Sequence, residues 1–268
     1  MNIVVCIKQV PDAMSIRIDR QRMTIIREGV ESIINPLDRV ALEIALDLRG
    51  SEGGRITILS MGPAQGEEAL REAMAFGADQ AILLTDAAFA GADTLATSHV
   101  LARAISRLNP FPDLVLCGTN SIDSDTGHVG PQIAEELDLP QVCGVTEILT
   151  DEGALIVKRF SNGLLDTIRV TMPALLTLTQ GLYTPHHIPL GDLEKAFSDR
   201  EVIYWGLNDL ELKQEEVGFN GSATRVVNLY KPPTKKRGEI MNGQPAELVR
   251  HLIKKLETVG ILDEEGGD

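Results

Sequence analysis

The sequence predicts an α/β fold organised on a parallel sheet, and three observations carry that expectation. Up to Pro140, short apolar runs alternate with stretches of helical periodicity, the order that produces parallel strands joined by right-handed crossovers. The apolar runs are nearly unbroken, as strands covered on both faces are, with Leu114-Val115-Leu116-Cys117 the clearest case. Two of them end in glycine turns, Cys117-Gly118 and Met61-Gly62-Pro63-Ala64, where the backbone is free to leave the sheet.

Taken in order, Asn2 to Ile7 is the first buried strand, and Pro11 forbids its continuation. Ser15 to Asp19 and Thr24 to Arg27 read as hairpin arms around Arg20-Gln21-Arg22. Asn35-Pro36 opens a helix that Val40, Leu42, Ile44, Ala45 and Leu48 extend to Gly50. A strand at Arg55 to Ser60, a helix from Gln65 to Phe76 and a strand at Gln80 to Leu84 follow. Asp93 is an N-cap for a helix reaching Leu108, and Asp113 to Cys117 is the next strand. From Val129, Ile133, Ala134 and Leu137 recur at helical spacing, with Pro131 in the first turn, where a helix tolerates it.

After Pro140 the pattern changes. Val145 to Leu149, Ala154 to Phe160 and Leu164 to Thr171 alternate β-branched and polar residues around Asp151-Glu152-Gly153 and Ser161-Asn162-Gly163, the mark of an antiparallel meander. Pro173 to Leu178 is a further buried strand returning to the main sheet. A helix near Asp192 to Phe197, a strand at Glu201 to Tyr204, a polar segment from Gln214 to Gly238 and an amphipathic helix from Pro245 to Val259 complete the chain. The expected division is a nucleotide-binding domain with meander over residues 1–205 and a docking arm over 206–268.

The stretch Gly118 to Gly130 is the strongest functional candidate, because a polar loop feeding backbone N–H groups into a helix start at the end of a parallel strand suits the phosphates of a nucleotide. Phosphate falls to the N–H groups of Thr126, Gly127, His128, Val129 and Gly130; Asp123 and Asp125 suit loop capping and ribose or adenine groups, since like charges about 4 Å apart repel by about 1 kcal/mol even in water. Ligands of such sheets sit beyond the carboxyl ends of the strands, where Cys6 to Gln9 and Met61-Gly62 also lie.

A net charge of -14 argues against nucleic acid or an anionic membrane surface, both of which need a positive patch. The three cysteines, Cys6, Cys117 and Cys143, have neither CxxC nor Cys/His ligand spacing and fit reduced thiols in a cytoplasmic protein. Met1 leads straight into a strand without a charged leader, and no apolar run approaches the roughly 18 residues of a membrane span. His186-His187 has no third ligand nearby, so no metal site is expected.

Several blocks resemble the β subunit of electron transfer flavoproteins over essentially the whole chain. They are the first strand with Lys8, Asn35-Pro36, Gly62-Pro63-Ala64-Gln65, Phe76-Gly77-Ala78-Asp79, the Asp123 to Gly130 loop and Val259-Gly260-Ile261. Val157-Lys158-Arg159, Gly163, Asp166, Ile168 and Pro173-Ala174-Leu175-Leu176-Thr177 track the family's signature segment. The resemblance implies an adenine nucleotide α-hydrolase-like fold and a heterodimer with an α subunit that carries FAD and exchanges electrons with an acyl-CoA dehydrogenase or related flavoenzyme. It also implies an adenine nucleotide in the β subunit. That ligand is AMP in simple carriers and a second FAD in the electron-bifurcating branch, where electrons from NADH divide between a high-potential path and a low-potential acceptor such as ferredoxin.

Asp123 to Pro131 and Asp93 to Ser98 look like the bifurcating form. Thr94 and Thr97 are then hydroxyl donors to the longer ligand, or helix caps. Cys6, Asn35 and Met61 match positions lining the adenine crevice, with core packing an equal role for Cys6 and Met61. Ala13 and Leu37 match the contact with the α-subunit flavin, and Ile188-Pro189, or Leu190, the anchor that enters the partner dehydrogenase. A nucleotide-binding regulatory module without redox role is the alternative from another class.

Overall fold

The chain begins with strand β1 (Asn2–Cys6), the short β2 (Gln9–Pro11), the arms β3 (Arg17–Asp19) and β4 (Thr24–Ile26), and β5 (Ser32–Ile34), before helix α1 (Pro36–Glu52). Strand and helix then alternate through β6 (Arg55–Met61), α2 (Glu67–Ala75), β7 (Gln80–Leu84), α3 (Thr94–Ser106), β8 (Leu114–Gly118) and α4 (Val129–Glu136). The remainder comprises β9 (Gln141–Asp151), β10 (Ala154–Ser161), β11 (Leu164–Thr171), β12 (Ala174–Leu178), α5 (Leu190–Ser198), β13 (Val202–Trp205), the single turn α6 (Gly218–Gly221) and α7 (Pro245–Thr258). This computed structural model describes residues 1–12, 17–19, 24–26, 31–151, 153–180, 186–227, 238 and 240–262.

Nine strands form one sheet in the order β11-β10-β9-β12-β8-β1-β6-β7-β13. The pairs from β12 through β8, β1, β6 and β7 to β13 are all parallel, so the expected α/β architecture holds. The meander is not a separate sheet. The first residues of β9 pair parallel with β12 and its later ones antiparallel with β10, so one long strand joins the two halves. Within the signature segment, Arg159 lies opposite Asp166 and its Nε donates at 3.0 Å, while Lys158 donates to Glu147 at 2.9 Å. These cross-strand ion pairs hold the hairpin in register.

Side-chain alternation along β1 assigns the helices to layers. Ile3 and Val5 share an apolar cluster with Val40 and Leu42 of α1 and Leu70 and Met74 of α2. Val4 and Cys6 face the other way, into a cluster with Val100 and Ile105 of α3 and Ile133 and Ala134 of α4. Burial of this kind, at about 25 cal/mol per Å² of apolar surface, is the main force holding both layers to the sheet.

Helix α1 runs past Gly50 to Glu52, beyond the expected end. A helix interior accepts glycine at a cost of about 1 kcal/mol, and the chain turns only at Gly53, whose φ of +71° and N–H bond to Arg49 O at 2.8 Å terminate the helix. Residues Met1–Arg225 form one compact unit and Val226–Asp268 another. The stretch 206–225, counted above with the arm, therefore belongs to the first unit, where Leu210, Leu212 and Val217 join the α3/α4 cluster. In the second unit no residue of α7 is buried, and Val249, Leu252 and Ile253 leave an apolar stripe exposed. No described helix is long and apolar enough to cross a membrane.

Candidate functional site

From β1 the chain steps outward through β6 and β7 on one side, then returns to place β8 on β1's other side. The carboxyl ends of β1 and β8, with Cys6 opposite Cys117, therefore flank the point where strand order reverses, the position where open parallel sheets bind ligands. Helices α3 and α4 follow strands of the same direction, so both begin at that edge. Ser98 Oγ donates to Gln132 Oε1 at 3.2 Å and His99 Nδ1 lies 2.6 Å from Glu136 Oε1, tying the two helices side by side.

The loop between β8 and α4 is wired to its surroundings residue by residue. The N–H and Oγ1 of Thr119 donate to Leu178 O at 2.8 and 2.9 Å. Asn35 Nδ2 donates to Asn120 O at 2.9 Å, and Ile122 N donates to Asn35 Oδ1 at 3.1 Å. Lys8 Nζ meets Asp123 Oδ2 at 2.6 Å across the mouth of the edge, and Ser121 Oγ donates to Asp123 Oδ1 at 2.6 Å. Burial pushes the Asp123 carboxyl up, but the bonds from Lys8 and Ser121 outweigh it and hold the group below its ordinary range. Asn120 Nδ2 donates to Asp125, which sits at φ +51°.

Asp38 was not singled out from the sequence, yet it is the buried charge of this edge, 6% exposed. Its Oδ2 accepts from Lys8 N and its Oδ1 from Gly118 N, both at 2.8 Å, so one side chain in the first turn of α1 spans the ends of β1 and β8. Burial pushes its pKa up to about 7, against the two N–H bonds, an Asn35 amide bond and the Lys8 charge, all of which favour the carboxylate. An acid in the first helical turn is ordinary, so no local signal distinguished it. Burial pushes the Cys6 thiol up to about 12, with the Asp38 charge adding to it, which makes Cys6 a packing group and not a nucleophile.

Cys6, Met61 and Val129 all join the α3/α4 cluster, and buried Gly130 lets α4 approach the sheet: an added Cβ would stand 2.5 Å from Thr177 Cγ2 and 2.9 Å from Cys117 Sγ. Asp123, Thr126 and His128 are exposed and Gly127, at φ +67°, is half-buried, so the helix start faces solvent along its outer rim. Asn35 and Leu37 approach from α1, on the other side of the strand ends. Asn35 does not cap its own helix; its amide is committed to the loop instead. Ala13 lies outside the described residues.

Capping at α3 belongs to Asp93, whose Oδ1 accepts from Ala96 N at 3.0 Å while Oδ2 accepts from Thr224 N and Oγ1 at 2.8 and 2.9 Å. Thr94 and Thr97 are half-buried in the same turn, and among the described residues neither hydroxyl has a hydrogen-bond partner. Replacing Asp93 by Ala is expected to cost about 1–2 kcal/mol, since it removes the cap and the two bonds from Thr224 together, leaving the bond from Asp93 N to Ser222 Oγ. Urea denaturation measures this, and a change below about 0.5 kcal/mol would be inconsistent with it.

On the opposite face, Ile188 is half-buried and packs on the α1/α2 core, exposed Pro189 is the N-cap of α5, and Leu190 is 81% exposed. Of the three, Leu190 is the apolar side chain standing clear of the surface. The segment is held by Glu43 of α1, a fully buried carboxylate that receives His186 N at 3.1 Å, Arg39 Nε at 2.9 Å and the His186 ring. Facing a carboxylate, His186 Nδ1 carries the proton. Glu43 interrupts an otherwise apolar stripe with Val40, a spacing that could have marked it in the sequence.

The profile of a family described as "Electron transfer flavoprotein domain" matches residues 22–202. The chain is 47% identical over 258 residues to a protein named electron transfer flavoprotein subunit beta from Thermoanaerobacterium thermosaccharolyticum, covering 96% of this chain and 98% of that one. It is 41% identical over 264 residues to the caffeyl-CoA reductase–Etf complex subunit CarD of Acetobacterium woodii, covering 98% of this chain and all of that one. Protein FixA of Sinorhizobium fredii is 41% identical over 267 residues, with 96% and 93% covered.

Proposed function

Because the chain belongs to the electron transfer flavoprotein family, on its β-subunit side, we propose that it pairs with an α subunit carrying FAD and holds a second FAD of its own at the β1/β8 edge. The observation that carries this reading is the pair of helix starts above one strand crossing, with Asp93 doing the capping at α3 so that Thr94 and Thr97 keep their hydroxyls for a ligand. One helix start suffices for a nucleotide phosphate; a second, bearing unused hydroxyls, suits a dinucleotide. Cys6, Met61, Asp123, Thr126, Gly127, His128, Val129 and Gly130 complete the walls, and Leu37 faces the α-subunit flavin.

A flavin bound there supplies hydride and single-electron chemistry, and the protein supplies distance, orientation and tuning. In this reading electrons from NADH divide between the α-subunit flavin and a low-potential acceptor such as ferredoxin, and an acyl-CoA dehydrogenase-type flavoenzyme takes the high-potential branch. The naming of one relative as part of a caffeyl-CoA reductase complex supports a partner that acts on CoA thioesters. Leu190 is the anchor for that partner. Burying one aliphatic side chain is worth about 1.5–3 kcal/mol, which suits a transient encounter.

The test is to purify the αβ complex, denature it and quantify flavin and AMP per heterodimer. Two FAD without AMP support the reading. One FAD with one AMP replaces it by a simple carrier with structural AMP, and no flavin at all leaves a regulatory nucleotide-binding module. Replacing Thr94 and Thr97 together by Val is expected to lower the flavin content toward one per heterodimer while the complex stays folded; an unchanged content would remove those hydroxyls from the site.

A further inference from the structure

Between β5, α2 and α5 lies a groove of about 420 Å³ with an apolar floor, to which Ile33, Ile188, Leu193 and Phe197 contribute, and with Glu68 and Glu72 along its α2 side. Exposed Leu190 opens α5 one turn before Leu193 and Glu194, so it neighbours both on the helix surface.

The arginines of this region do not offset its acids, because both are turned inward onto backbone. Arg71 of α2 donates through Nη1 to Ala196 O at 2.7 Å and Arg200 O at 3.0 Å, at the end of α5. Arg200 donates through Nη1 to Ala78 O at 2.7 Å and Met74 O at 3.1 Å, at the end of α2. Each closes the C-terminal end of the opposite helix, where carbonyls run out of intrahelical donors. Arg71 also pairs with Glu67 at 2.6 Å, and Lys195 stands 3.6 Å from Asp192. What stays outside is acidic. Glu68 and Glu194 are exposed, and among the described residues neither carboxylate has a hydrogen-bond or ion-pair partner. Burial pushes the Glu72 carboxyl up although Arg39 stands 4.0 Å away, so a further cation would favour its ionised form.

We propose that this face, with Leu190, the groove beside it and the carboxylates of Glu68 and Glu194, is the docking surface for a flavoenzyme that presents an apolar pocket ringed by lysine or arginine. The proposal rests on the reading of Leu190 as the partner's anchor and adds the charge that the partner must carry. An acidic rim would set like charges against Glu68 and Glu194, whereas a basic one pairs with them. The net charge of -14 works in the same direction, drawing a basic partner in from a distance.

The experiment follows electron transfer from the αβ complex to the purified acyl-CoA dehydrogenase of the same organism, with KM for the dehydrogenase and kcat measured separately. For the wild type, KM is expected to rise at least fivefold, with kcat retained, as NaCl goes from about 50 to about 300 mM, since salt screens exposed charges. Glu68→Lys with Glu194→Lys is expected to raise KM at least tenfold at low salt and to abolish its rise with salt. Glu52→Lys with Glu215→Lys makes the same change in net charge on exposed residues that do not line the groove, and should leave KM within twofold.

Leu190→Ala reports on the anchor separately. If it raises KM while the charge reversal leaves KM within twofold or lowers it, the anchor stands and the proposal is overturned. If neither changes KM, the dehydrogenase docks elsewhere and both readings fall. An equal rise from the control pair would assign the effect to net charge and overturn the proposal too. Should the reversed complex fail to assemble, Glu68→Gln with Glu194→Gln removes both charges without reversing them, and a wild-type KM that is flat in salt overturns the proposal whatever the variants do. A wild-type complex that passes no electrons to the dehydrogenase defeats the reading of the partner and the proposal with it.

Discussion

Gly118→Ala is expected to lower the stability of the protein by about 1–3 kcal/mol, with Gly118→Val costing more. The added Cβ would lie 2.5 Å from Asp38 Oδ1, 2.8 Å from Leu37 Cβ and 2.9 Å from Asp38 N. None of these is a flexible tip. Asp38 is pinned by two backbone N–H groups, one of them Gly118's own, and the other two atoms belong to the start of α1. The methyl group must therefore push α1 away from β8, and the bond from Gly118 N to Asp38 is the first to lengthen. A buried carboxylate that loses one of its donors adds its own cost of about 1–3 kcal/mol.

Gly62→Ala is the matched control, because it too follows a parallel strand yet an added Cβ there meets nothing within 4 Å. It should shift stability by no more than about 0.5 kcal/mol. Urea denaturation of the purified complex measures both, and equal effects would refute the close approach of α1 to β8. Because Leu37 is the other neighbour of the missing Cβ, Gly118→Ala should also displace Leu37 and, if Leu37 meets the α subunit as proposed, weaken that contact.

Glu43→Ala is expected to cost about 2–4 kcal/mol, somewhat below the figure for a fully buried pair, since the Arg39 left behind is 20% exposed and keeps part of its surroundings. Arg39 still stacks over the Phe76 ring, 3.1 Å from its centroid, and donates to His186 O at 3.1 Å. What disappears is the tie to Glu43: His186 loses the acceptor of both its backbone N–H and its ring and keeps the Arg39 bond to its carbonyl. Amide exchange at His186 should rise sharply. If Leu190 anchors the dehydrogenase, KM for that partner should rise several-fold while kcat is retained, because Glu43 is bonded to Arg39 and His186 and not to the loop between β8 and α4. Stability within about 0.5 kcal/mol of wild type, with unaltered exchange, would show that Glu43 holds nothing.

The elements themselves were legible. Strands β6, β7 and β8 and helices α3 and α4 appear within a few residues of their expected bounds, because apolar runs, an Asp N-cap and a proline in the first turn are local signals. The return of β12 to the main sheet was legible as well, its five buried residues having no polar face to expose. The division after Arg225 was not, because Leu210, Leu212 and Val217 are too sparse for a periodic signal and find their cluster only in three dimensions.

The sequence by itself determined the layer architecture, the family and the edge of the sheet at which the candidate site lies, since each depends on patterns a few residues long. Only the tertiary structure decided which polar side chains are spent on the protein and which are left over. Asn35 and Asp38 hold backbone on β1, β8 and the loop, Glu43 holds His186, and Thr94 and Thr97 stay unengaged because Asp93 caps their helix. The partners of these side chains lie up to 143 residues away along the chain. Hydrogen bonding is short-ranged and directional, so where such a group points is fixed by packing and not by its neighbours in sequence.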